Sequence, residues 1–285
     1  MNTLSKTRSI MNKFNIVANK RYGQNFLIDD NILEKIVDSA NISEQDLVVE
    51  IGPGLGNLTE YLLDRAKHVL LVEIDTKMIT VLEDRFKNNS NYTLLNNDIL
   101  KVNIDEIVKK IEIEKKTKFE NIKVVANLPY YITTPIIFKL LEDENSISDI
   151  TVMVQKEVAE RMVAESKSKN FGILTIMVDY FSNANIELIV PNSSFIPEPG
   201  VVSAVINLKK TRKYSVKNEK LFFELIHKAF AQRRKKMVNS LTSTNFNNMS
   251  KQEIEELLIK CNLSLNTRAE ELNIKEFIEI VNNID

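Results

Sequence analysis

The sequence predicts an α/β protein in which a doubly wound, mostly parallel sheet precedes a small all-helical C-terminal domain. Three observations predict this class. Strand-like and helix-like stretches alternate from residue 30 to about residue 209, as parallel strands require because each needs a crossover helix. Beyond Lys209 the apolar positions recur only at helical spacing. The length of 285 residues, with 44% hydrophobic and 27% charged residues, suits one large globular domain with a smaller companion.

The elements follow from the spacing of apolar residues. Ile32, Leu33, Ile36 and Val37 predict a first helix, and the apolar run Leu47–Ile51 predicts a first buried strand. The further predicted strands are 68–74, 93–95, 122–126, 150–154, 186–190 and 201–208. The further predicted helices are 58–66, 78–86, one after Pro135, 158–164, 173–180, 221–230, 254–259 and 277–281. Because little sequence separates the last two strands, we expect the last strand to be antiparallel.

Three segments are expected along the chain, with boundaries after residues 21 and 209. Residues 1–21 carry five basic side chains and no acidic one, which fits a transit peptide, a mobile basic arm or a frayed terminus. The segment is not rich in arginine and has no apolar core, so we expect a frayed basic arm. Residues 22–209 then form the α/β domain, and residues 210–285 form the helical domain.

Composition disfavours several classes of protein. A single cysteine, Cys261, cannot form an intramolecular disulfide, and with only two histidines, His68 and His227, we expect no His/Cys metal site. No apolar run approaches the roughly 20 residues that span a bilayer. We therefore expect a cytoplasmic protein with no membrane or metal partner.

Charge is unevenly distributed along a chain whose net charge is only −1. Between residues 209 and 236, eleven Lys and Arg residues stand against two acidic residues, which gives a local charge of +9. The run Arg233, Arg234, Lys235 and Lys236 follows an apolar helix pattern. Such runs are usually solvated faces, but this strong segregation favours binding of phosphates.

A glycine turn lies between the first predicted strand and the next helix. Gly52, Gly54 and Gly56 are three of the six glycines, and such turns let backbone and ligand approach closely. Glu73 follows Gly52 by 21 residues, near the spacing of about 20 at which a carboxylate meets ribose hydroxyls. The pattern predicts a ribose-bearing cofactor. A dinucleotide fingerprint would have its third glycine at the position of Asn57, so the spacing departs from that template.

Two further motifs follow later strands. Asp98 offers an acceptor for an adenine amine, although a loop aspartate is more often a turn former. Asn127-Leu128-Pro129-Tyr130 ends the fourth strand, and open α/β sheets bind ligands at this edge. The side-chain carbonyl of Asn127 and the backbone carbonyl of Leu128 would accept from an aromatic amine and localise its lone pair. Pro129 stiffens this stretch, and Tyr130 either stacks on the base, worth about 1 to 3 kcal/mol, or belongs to the core.

These motifs occur in an order that resembles the ribosomal RNA adenine N6,N6-dimethyltransferases. Gln24-Asn25-Phe26-Leu27 precedes them, and blocks beginning at Phe195, Val201, Phe230 and Arg268 follow them, so the resemblance covers nearly the whole chain from Arg21. It is strongest to the small-subunit (KsgA) branch, which Leu128 and the long basic C-terminal block favour. The resemblance implies a Rossmann-like class I methyltransferase sheet, and S-adenosylmethionine as cofactor.

The resemblance also implies roles for individual residues. The cofactor-binding set it implies is Asn25, Leu27, Gly52, Gly54, Glu73, Asp98 and Asn127. The catalytic set it implies is Asn127, Leu128, Pro129, Tyr130 and Phe195, with Phe195 facing the target base opposite Tyr130. Arg233, Arg234, Lys235 and Lys236 would bind RNA. The implied partner is small-subunit ribosomal RNA or the assembling small subunit, which the protein would modify as a monomer at two adjacent adenosines near the RNA 3′ end.

Three alternative functions stay open on the sequence. The Erm methyltransferases, which modify large-subunit RNA, are near neighbours of the family. A non-catalytic nucleic-acid-binding relative, as among mitochondrial transcription factors, would keep the fold without turnover. A dinucleotide oxidoreductase is disfavoured by the glycine spacing and by the lack of a candidate proton relay.

Overall fold

The chain forms two compact units. The computed structural model describes residues 2–19, 22–142, 144, 146–232 and 235–284. The large unit comprises Met1–Ala159 and Ala184–Lys210, and the small unit comprises Glu160–Asn183 and Thr211–Asp285. The small unit thus includes residues 160–183, which the sequence assigned to the α/β domain. The reason is packing, because Ile176 and Tyr180 share a buried apolar cluster with Phe222 and Leu225.

Strands and helices alternate through the large unit. Across the part of the chain that the structure describes, the strands are β1 (Phe26–Leu27), β2 (Leu47–Ile51), β3 (His68–Glu73), β4 (Tyr92–Asn96), β5 (Ile122–Asn127), β6 (Ile147–Gln155), β7 (Ser182–Val190), β8 (Phe195–Ile196) and β9 (Ser203–Lys210). The helices are α1 (Thr3–Lys13), α2 (Asp30–Ser39), α3 (Asn57–Arg65), α4 (Thr76–Phe86), α5 (Ile104–Lys115), α6 (Thr133–Glu142), α7 (Lys156–Met162), α8 (Ile173–Phe181), α9 (Glu219–Phe230), α10 (Met237–Ser243), α11 (Lys251–Lys260) and α12 (Ile274–Asn282).

The main sheet has seven strands in the order β4-β3-β2-β5-β6-β9-β7. Strands β2 to β6 pair in parallel, and β9 runs antiparallel to β6. A separate antiparallel pair joins β1 and β8. The predicted class, a mostly parallel α/β sheet with an antiparallel last strand, is confirmed.

The strand order places a topological switch point between β2 and β5. The chain moves from β2 outward through β3 to β4 and then returns to the other side of β2 to form β5. Every residue of β2 and β3 is buried, as expected for central strands covered on both faces. Ligands of open α/β sheets bind where strand order reverses, outside the carboxyl ends of the strands.

The N-terminal residues form helix α1, so the expected frayed arm is wrong. Ile10, Met11 and Phe14 pack against an apolar cluster of the large unit that includes Phe26 and Leu55. Ion pairs connect the basic side chains of the same helix to α3 and α4, with Lys6 bound to Glu60 at 2.7 Å and Lys13 bound to Asp84. The basic residues that indicated a free arm therefore hold the helix to the large unit.

The sequence prediction also omitted helix α5. Its buried residues Ile104, Val108 and Ile111 follow helical spacing, and the Asn103 side chain caps its N-terminus by accepting from the Glu106 N–H at 3.0 Å. The cap and the spacing are both visible in the sequence, so this helix was predictable.

Helices α8 to α12 surround the apolar core of the small unit. Phe222, Phe246 and Phe277 are fully buried at its centre. None of the helices formed by the described residues is long and apolar enough to cross a bilayer. Within the same part of the chain, no group of three or more His, Cys, Asp and Glu side chains is arranged to hold a metal ion.

Candidate active site

A cavity opens in the large unit at the carboxyl edge of the sheet, at the switch point between β2 and β5. Residues from five separate stretches line it, within 22–27, 50–58, 72–74, 97–100 and 127–132. The predicted site residues around it are Asn25, Leu27, Gly52, Gly54, Glu73, Asp98, Asn127, Leu128, Pro129 and Tyr130. The structure therefore brings together the glycine turn, the carboxylate that follows it and the Asn-Leu-Pro-Tyr motif.

The glycine turn forms one wall of this cavity. Gly52 and Gly54 have φ angles of +65° and +56°, a left-handed conformation that residues with a Cβ rarely adopt. The N–H of Gly52 donates to the Val72 carbonyl at 2.9 Å, which holds the turn against β3. A Cβ placed at Gly52 would lie 3.9 Å from the Pro129 ring, so the two motifs are close neighbours. At this wall a ligand meets backbone rather than side chains.

Glu73 ends β3 beside the turn. One carboxylate oxygen accepts from the Gly54 N–H at 3.0 Å, and the other accepts from the Asp75 N–H at 2.8 Å. Burial raises the pKa of Glu73, and the neighbouring Asp75 adds to the increase, while these backbone donors oppose it. The two hydrogen bonds fix the carboxylate in place. Each oxygen still has a lone pair for a further donor.

Asp98 and two apolar side chains form a second wall. The Asp98 carboxylate accepts from the Leu100 N–H at 3.0 Å and so begins a short 3₁₀ turn. Asp98 therefore has the turn-forming role that the sequence offered as an alternative. Ile74 and Leu100 line the cavity and remain exposed over about two fifths of their surface. A wall of this kind suits a flat aromatic ring with one polar edge.

The Asn-Leu-Pro-Tyr motif forms another wall of the cavity, next to the glycine turn. The side-chain amide of Asn127 donates through Nδ2 to the Asn25 carbonyl at 3.2 Å, which leaves Oδ1 as an acceptor. The Leu128 N–H extends the sheet by donating to the Met153 carbonyl at 3.1 Å. Pro129 is extended, with φ −60° and ψ 124°. These contacts hold the acceptors of the motif in one conformation.

Tyr130 begins a 3₁₀ turn at the rim of the cavity. Its side chain is partly buried, and its hydroxyl lies 2.6 Å from the Ser203 hydroxyl at the start of β9. Burial raises the pKa of Tyr130, so the phenol stays protonated at neutral pH. Tyr131 follows it on the same turn, lines the cavity and is 56% exposed. Two aromatic rings therefore stand at the rim.

Phe195 lies in the apolar core, so the structure does not support the base-facing role expected for it, which stays a prediction. It pairs with Leu27 in the small β1–β8 sheet, and its side chain is only 1% exposed within the apolar core. It is also not among the described residues that line the cavity. Phe195 instead supports Leu27, which does line it.

Comparison with known proteins agrees with this geometry. The model of the family described as "Ribosomal RNA adenine dimethylase" matches residues 15–285. The chain belongs to this family. Membership confirms the predicted enzyme class, a ribosomal RNA adenine dimethyltransferase, and its methyl donor, S-adenosylmethionine.

Named relatives and solved structures extend the comparison. "Ribosomal RNA small subunit methyltransferase A" of Alkaliphilus oremlandii is 45% identical over 281 residues, which are 98% of this chain and 96% of that protein. The Clostridioides difficile protein of the same name is 43% identical over 281 residues, 98% of this chain and 95% of its own. A dimethyladenosine transferase from Plasmodium falciparum superposes with a TM-score of 0.73 at 28% identity, covering 90% of this chain and 95% of its own. The 23S rRNA methyltransferase ErmE, at 22% identity over 91% of this chain and 99% of its own, shares the fold with a TM-score of 0.64.

The structure describes only part of the basic segment that is expected to bind RNA. Arg233 and Arg234 lie outside the described residues. Lys235 and Lys236 are exposed, and Lys236 donates to the Asn266 side chain at 2.6 Å. Elsewhere in the segment Lys213 pairs with Asp179 at 2.6 Å, so acids from outside the segment neutralise part of its charge.

Glu50 also lines the cavity, and no role for it was expected from the sequence. Glu50 is only 2% exposed, and the Thr59 hydroxyl donates to its carboxyl group at 2.6 Å. Burial raises the pKa of Glu50 to about 8, and nearby Glu73 adds to the increase, while Arg85 and the Thr59 bond oppose it. Glu50 is therefore mostly protonated at neutral pH. A lone carboxylate in an otherwise apolar strand was the sequence signal for it.

Asn57 is a second residue of the cavity whose structural role was not expected from the sequence. It occupies the position where a dinucleotide fingerprint would have glycine, and it lines the cavity from the start of α3. Its amide donates to the Leu27 carbonyl and the Thr7 hydroxyl at 2.8 Å each, and it accepts from Arg85 at 3.0 Å. Asn57 thus connects α1, β1 and α4 at the base of the glycine turn. The departure from the dinucleotide template therefore has a structural cause.

Proposed function

We propose that this protein dimethylates the N6 amines of two adjacent adenosines near the 3′ end of small-subunit ribosomal RNA. The relatives at 42–45% identity carry the small subunit in their names, and they align with 95–98% of the chain. The observation that carries the chemistry is the convergence of the glycine turn, Glu73 and the Asn-Leu-Pro-Tyr motif around one cavity.

We assign the described cavity to the cofactor. When bound, S-adenosylmethionine supplies a methyl group on positively charged sulfur, which makes that carbon electrophilic. Glu73 suits the ribose hydroxyls, because its oxygens keep lone pairs beyond their backbone hydrogen bonds. Gly52 and Gly54 permit close approach of the cofactor to the backbone. Asp98 has a second carboxylate oxygen for the adenine amine, while Asn25 and Leu27 close the cavity on the remaining side.

Asn127 and Leu128 act on the target amine in this proposal. The lone pair of an aromatic amine is delocalised into its ring, so the amine is a poor nucleophile until its hydrogens are held by acceptors. Oδ1 of Asn127 and the carbonyl of Leu128 are the acceptors, and the contacts of the motif hold them before the base arrives. Positioning of this kind supplies about 7 to 11 kcal/mol when reacting atoms are aligned. The methylated amine then releases its proton to water, so no general base is required.

Tyr130 provides the aromatic surface for the extruded base. Stacking on such a ring contributes about 1 to 3 kcal/mol per base, which offsets the few kcal/mol of unstacking. With Phe195 in the core, Tyr130 carries this contact without the partner expected from the sequence. We also propose that the protein acts as a monomer. A substrate in the assembling small subunit supports the proposal that the protein acts in the cytoplasm.

The variant Asn127→Ala tests the catalytic assignment. We expect transfer of labelled methyl groups to small subunits that lack the modification to fall on the order of 100-fold, as when one preorganised polar group is removed from an active site. Cofactor affinity, measured by calorimetry, separates a loss of chemistry from a loss of binding. Asn31→Ala removes an exposed amide from α2 and is the matched control. A folded Asn127→Ala protein with near-normal transfer would refute the assignment.

The variant Lys235→Ala tests the proposed RNA-binding segment. Its exposed side chain is free to contact phosphate, and each lost phosphate contact lowers the salt slope of binding by about 1. Arg233→Ala and Arg234→Ala should lower the slope likewise. Lys109→Ala, which removes an exposed lysine from α5, should leave it unchanged. Unchanged slopes in all three segment variants would leave this segment without an RNA-binding role.

A further inference from the structure

Ser203 reaches the active-site edge because its strand runs antiparallel. The parallel strands end at this edge, whereas β9 begins there, and Ser203 pairs with Gln155, the last residue of β6. Ser203 is fully buried, and its hydroxyl lies 2.6 Å from the hydroxyl of Tyr130. The first residue of the antiparallel strand thus contacts the far end of the aromatic ring at the cavity rim.

The backbone of Ser203 is held independently of its hydroxyl. The neighbouring Val202 carbonyl accepts from the Lys156 N–H at 3.0 Å, and pairing with β6 continues through Ala204 and Val205. Replacing Ser203 with alanine therefore leaves the strand in register. What it removes is the one hydrogen bond that the Tyr130 hydroxyl makes with any of the described residues.

The hydrogen bond anchors the far end of the Tyr130 side chain. The residue lies on a short 3₁₀ turn that follows the sheet, so its backbone is not part of a strand or long helix. Its ring is partly buried, and its hydroxyl is the only polar atom of the side chain. A ring fixed at both ends, by its Cβ and by its hydroxyl, has its plane set before a base arrives. A ring that lacks the second anchor must be ordered during binding, which weakens affinity.

We propose that Ser203 is a positioning residue that sets the plane of the Tyr130 ring against which the target adenine stacks. This inference rests on the proposed function, because it requires Tyr130 to contact the base. It concerns substrate affinity rather than the chemical step, since Ser203 touches neither the amine acceptors nor the glycine turn in the contacts that the structure describes.

The test compares Ser203→Ala, Tyr130→Phe and the double variant on small ribosomal subunits that lack the modification. Each single variant should raise the KM for subunits roughly threefold to tenfold, the cost of ordering one side chain, with kcat nearly unchanged. The double variant should be no worse than either single one, because both remove the same bond. Tyr130→Phe keeps the ring, so it also reports on the bond if Ser203→Ala folds poorly.

The matched control is Thr151→Val. Thr151 and Asn207 form a side-chain hydrogen bond of 2.8 Å between the same two strands, four residues from Ser203 along β9. This variant should lower the urea midpoint and leave KM unchanged. Fluorine NMR of protein labelled with 3-fluorotyrosine gives a second readout, with the Tyr130 signal identified by its loss in Tyr130→Phe. That signal should shift in Ser203→Ala and stay in place in Thr151→Val.

Two outcomes would overturn the inference: a KM for Ser203→Ala equal to that of Thr151→Val, or additive effects in the double variant. Asn127→Ala separates this failure from failure of the proposed function. If Asn127→Ala loses activity on the order of 100-fold while the Ser203 variants behave as wild type, only the role of Ser203 is lost. If Asn127→Ala remains active, the site assignment itself is wrong.

Discussion

The variant Glu50→Gln should reverse a pH-dependent loss of stability that originates at the cofactor cavity. Glu50 lies in the buried centre of β2, where the groups that face it are the Thr59 hydroxyl, the Glu73 carboxylate and, at longer range, Arg85. Burial raises the pKa of Glu50 from 4.5 to about 8. Glutamine has nearly the same shape and keeps an oxygen that accepts from Thr59, but it cannot ionise.

The sign and size of the effect follow from linkage between protonation and folding. Below about pH 4.5 Glu50 is protonated in both the folded and the unfolded states, so its ionisation costs nothing. As the pH rises toward 8, the unfolded chain releases the proton first, and folding stability falls. Each pKa unit corresponds to about 1.4 kcal/mol, so the full loss approaches 5 kcal/mol. The free energy of unfolding of the Glu50→Gln variant does not undergo this decrease, because glutamine does not ionise.

The assay is urea unfolding of both proteins at pH 4.5, 6, 7.5 and 9. The stability of Glu50→Gln relative to wild type should increase with pH, by up to about 5 kcal/mol between the two extremes. Using the change in this difference removes any constant effect of the substitution. Glu114→Gln, which alters an exposed residue of α5, should show no such trend. A stability difference for Glu50→Gln that stays constant with pH would refute the reasoning.

Three further predictions concern the stability of the large unit. Gly56→Ala should lower the free energy of unfolding by about 2 to 4 kcal/mol, because φ is +81° and a Cβ would lie 2.6 Å from the Phe86 ring. A decrease below about 0.5 kcal/mol in urea unfolding would contradict this prediction. Lys210→Met should lower the free energy of unfolding by about 1 to 3 kcal/mol, because the Lys210 ammonium donates to the carbonyls of Leu140 and Leu141 in α6 and of Glu144 just beyond it. An unchanged urea midpoint would count against this prediction. Burial lowers the pKa of His68 from 6.5 to about 4. The folding stability that is present above pH 6.5 should therefore be lost as the pH falls toward 4. An NMR titration of His68 with a midpoint near 6.5 would disprove this prediction.

The sheet and most of the cavity were predictable because they depend on local pattern. Buried runs such as Leu47–Ile51 have little choice of conformation, and alternating helices force neighbouring strands to be parallel. The carboxyl ends of parallel strands lie at one edge of the sheet, and the glycine turn, Glu73 and Asn127 each follow or end such a strand. Their meeting at this edge was therefore expected from the sequence. Sequence order alone therefore located the candidate site.

The features that the sequence did not reveal are contacts between residues far apart along the chain. The basic residues of 1–21 indicated a free arm, yet Lys6 finds its acidic partner Glu60 more than fifty positions away. Helix α8 lies between the sheet strands β6 and β7 in sequence but buries Ile176 against the helices that follow β9. Phe195 pairs with Leu27, 168 positions before it, and this contact turns its ring into the core. Composition and periodicity contain no information about such partners.

Mapping of methylated adenosines shows which ribosomal RNA this protein modifies and at which positions. Small and large ribosomal subunits from cells that lack this protein would be incubated with it and S-adenosylmethionine, and the RNA would be digested and sequenced by mass spectrometry. We predict N6,N6-dimethyladenosine at two adjacent positions near the 3′ end of small-subunit RNA, and about 100-fold less of it after incubation with the Asn127→Ala protein. Methylation of large-subunit RNA instead, or no methylation of either subunit by the wild-type protein, would contradict the account.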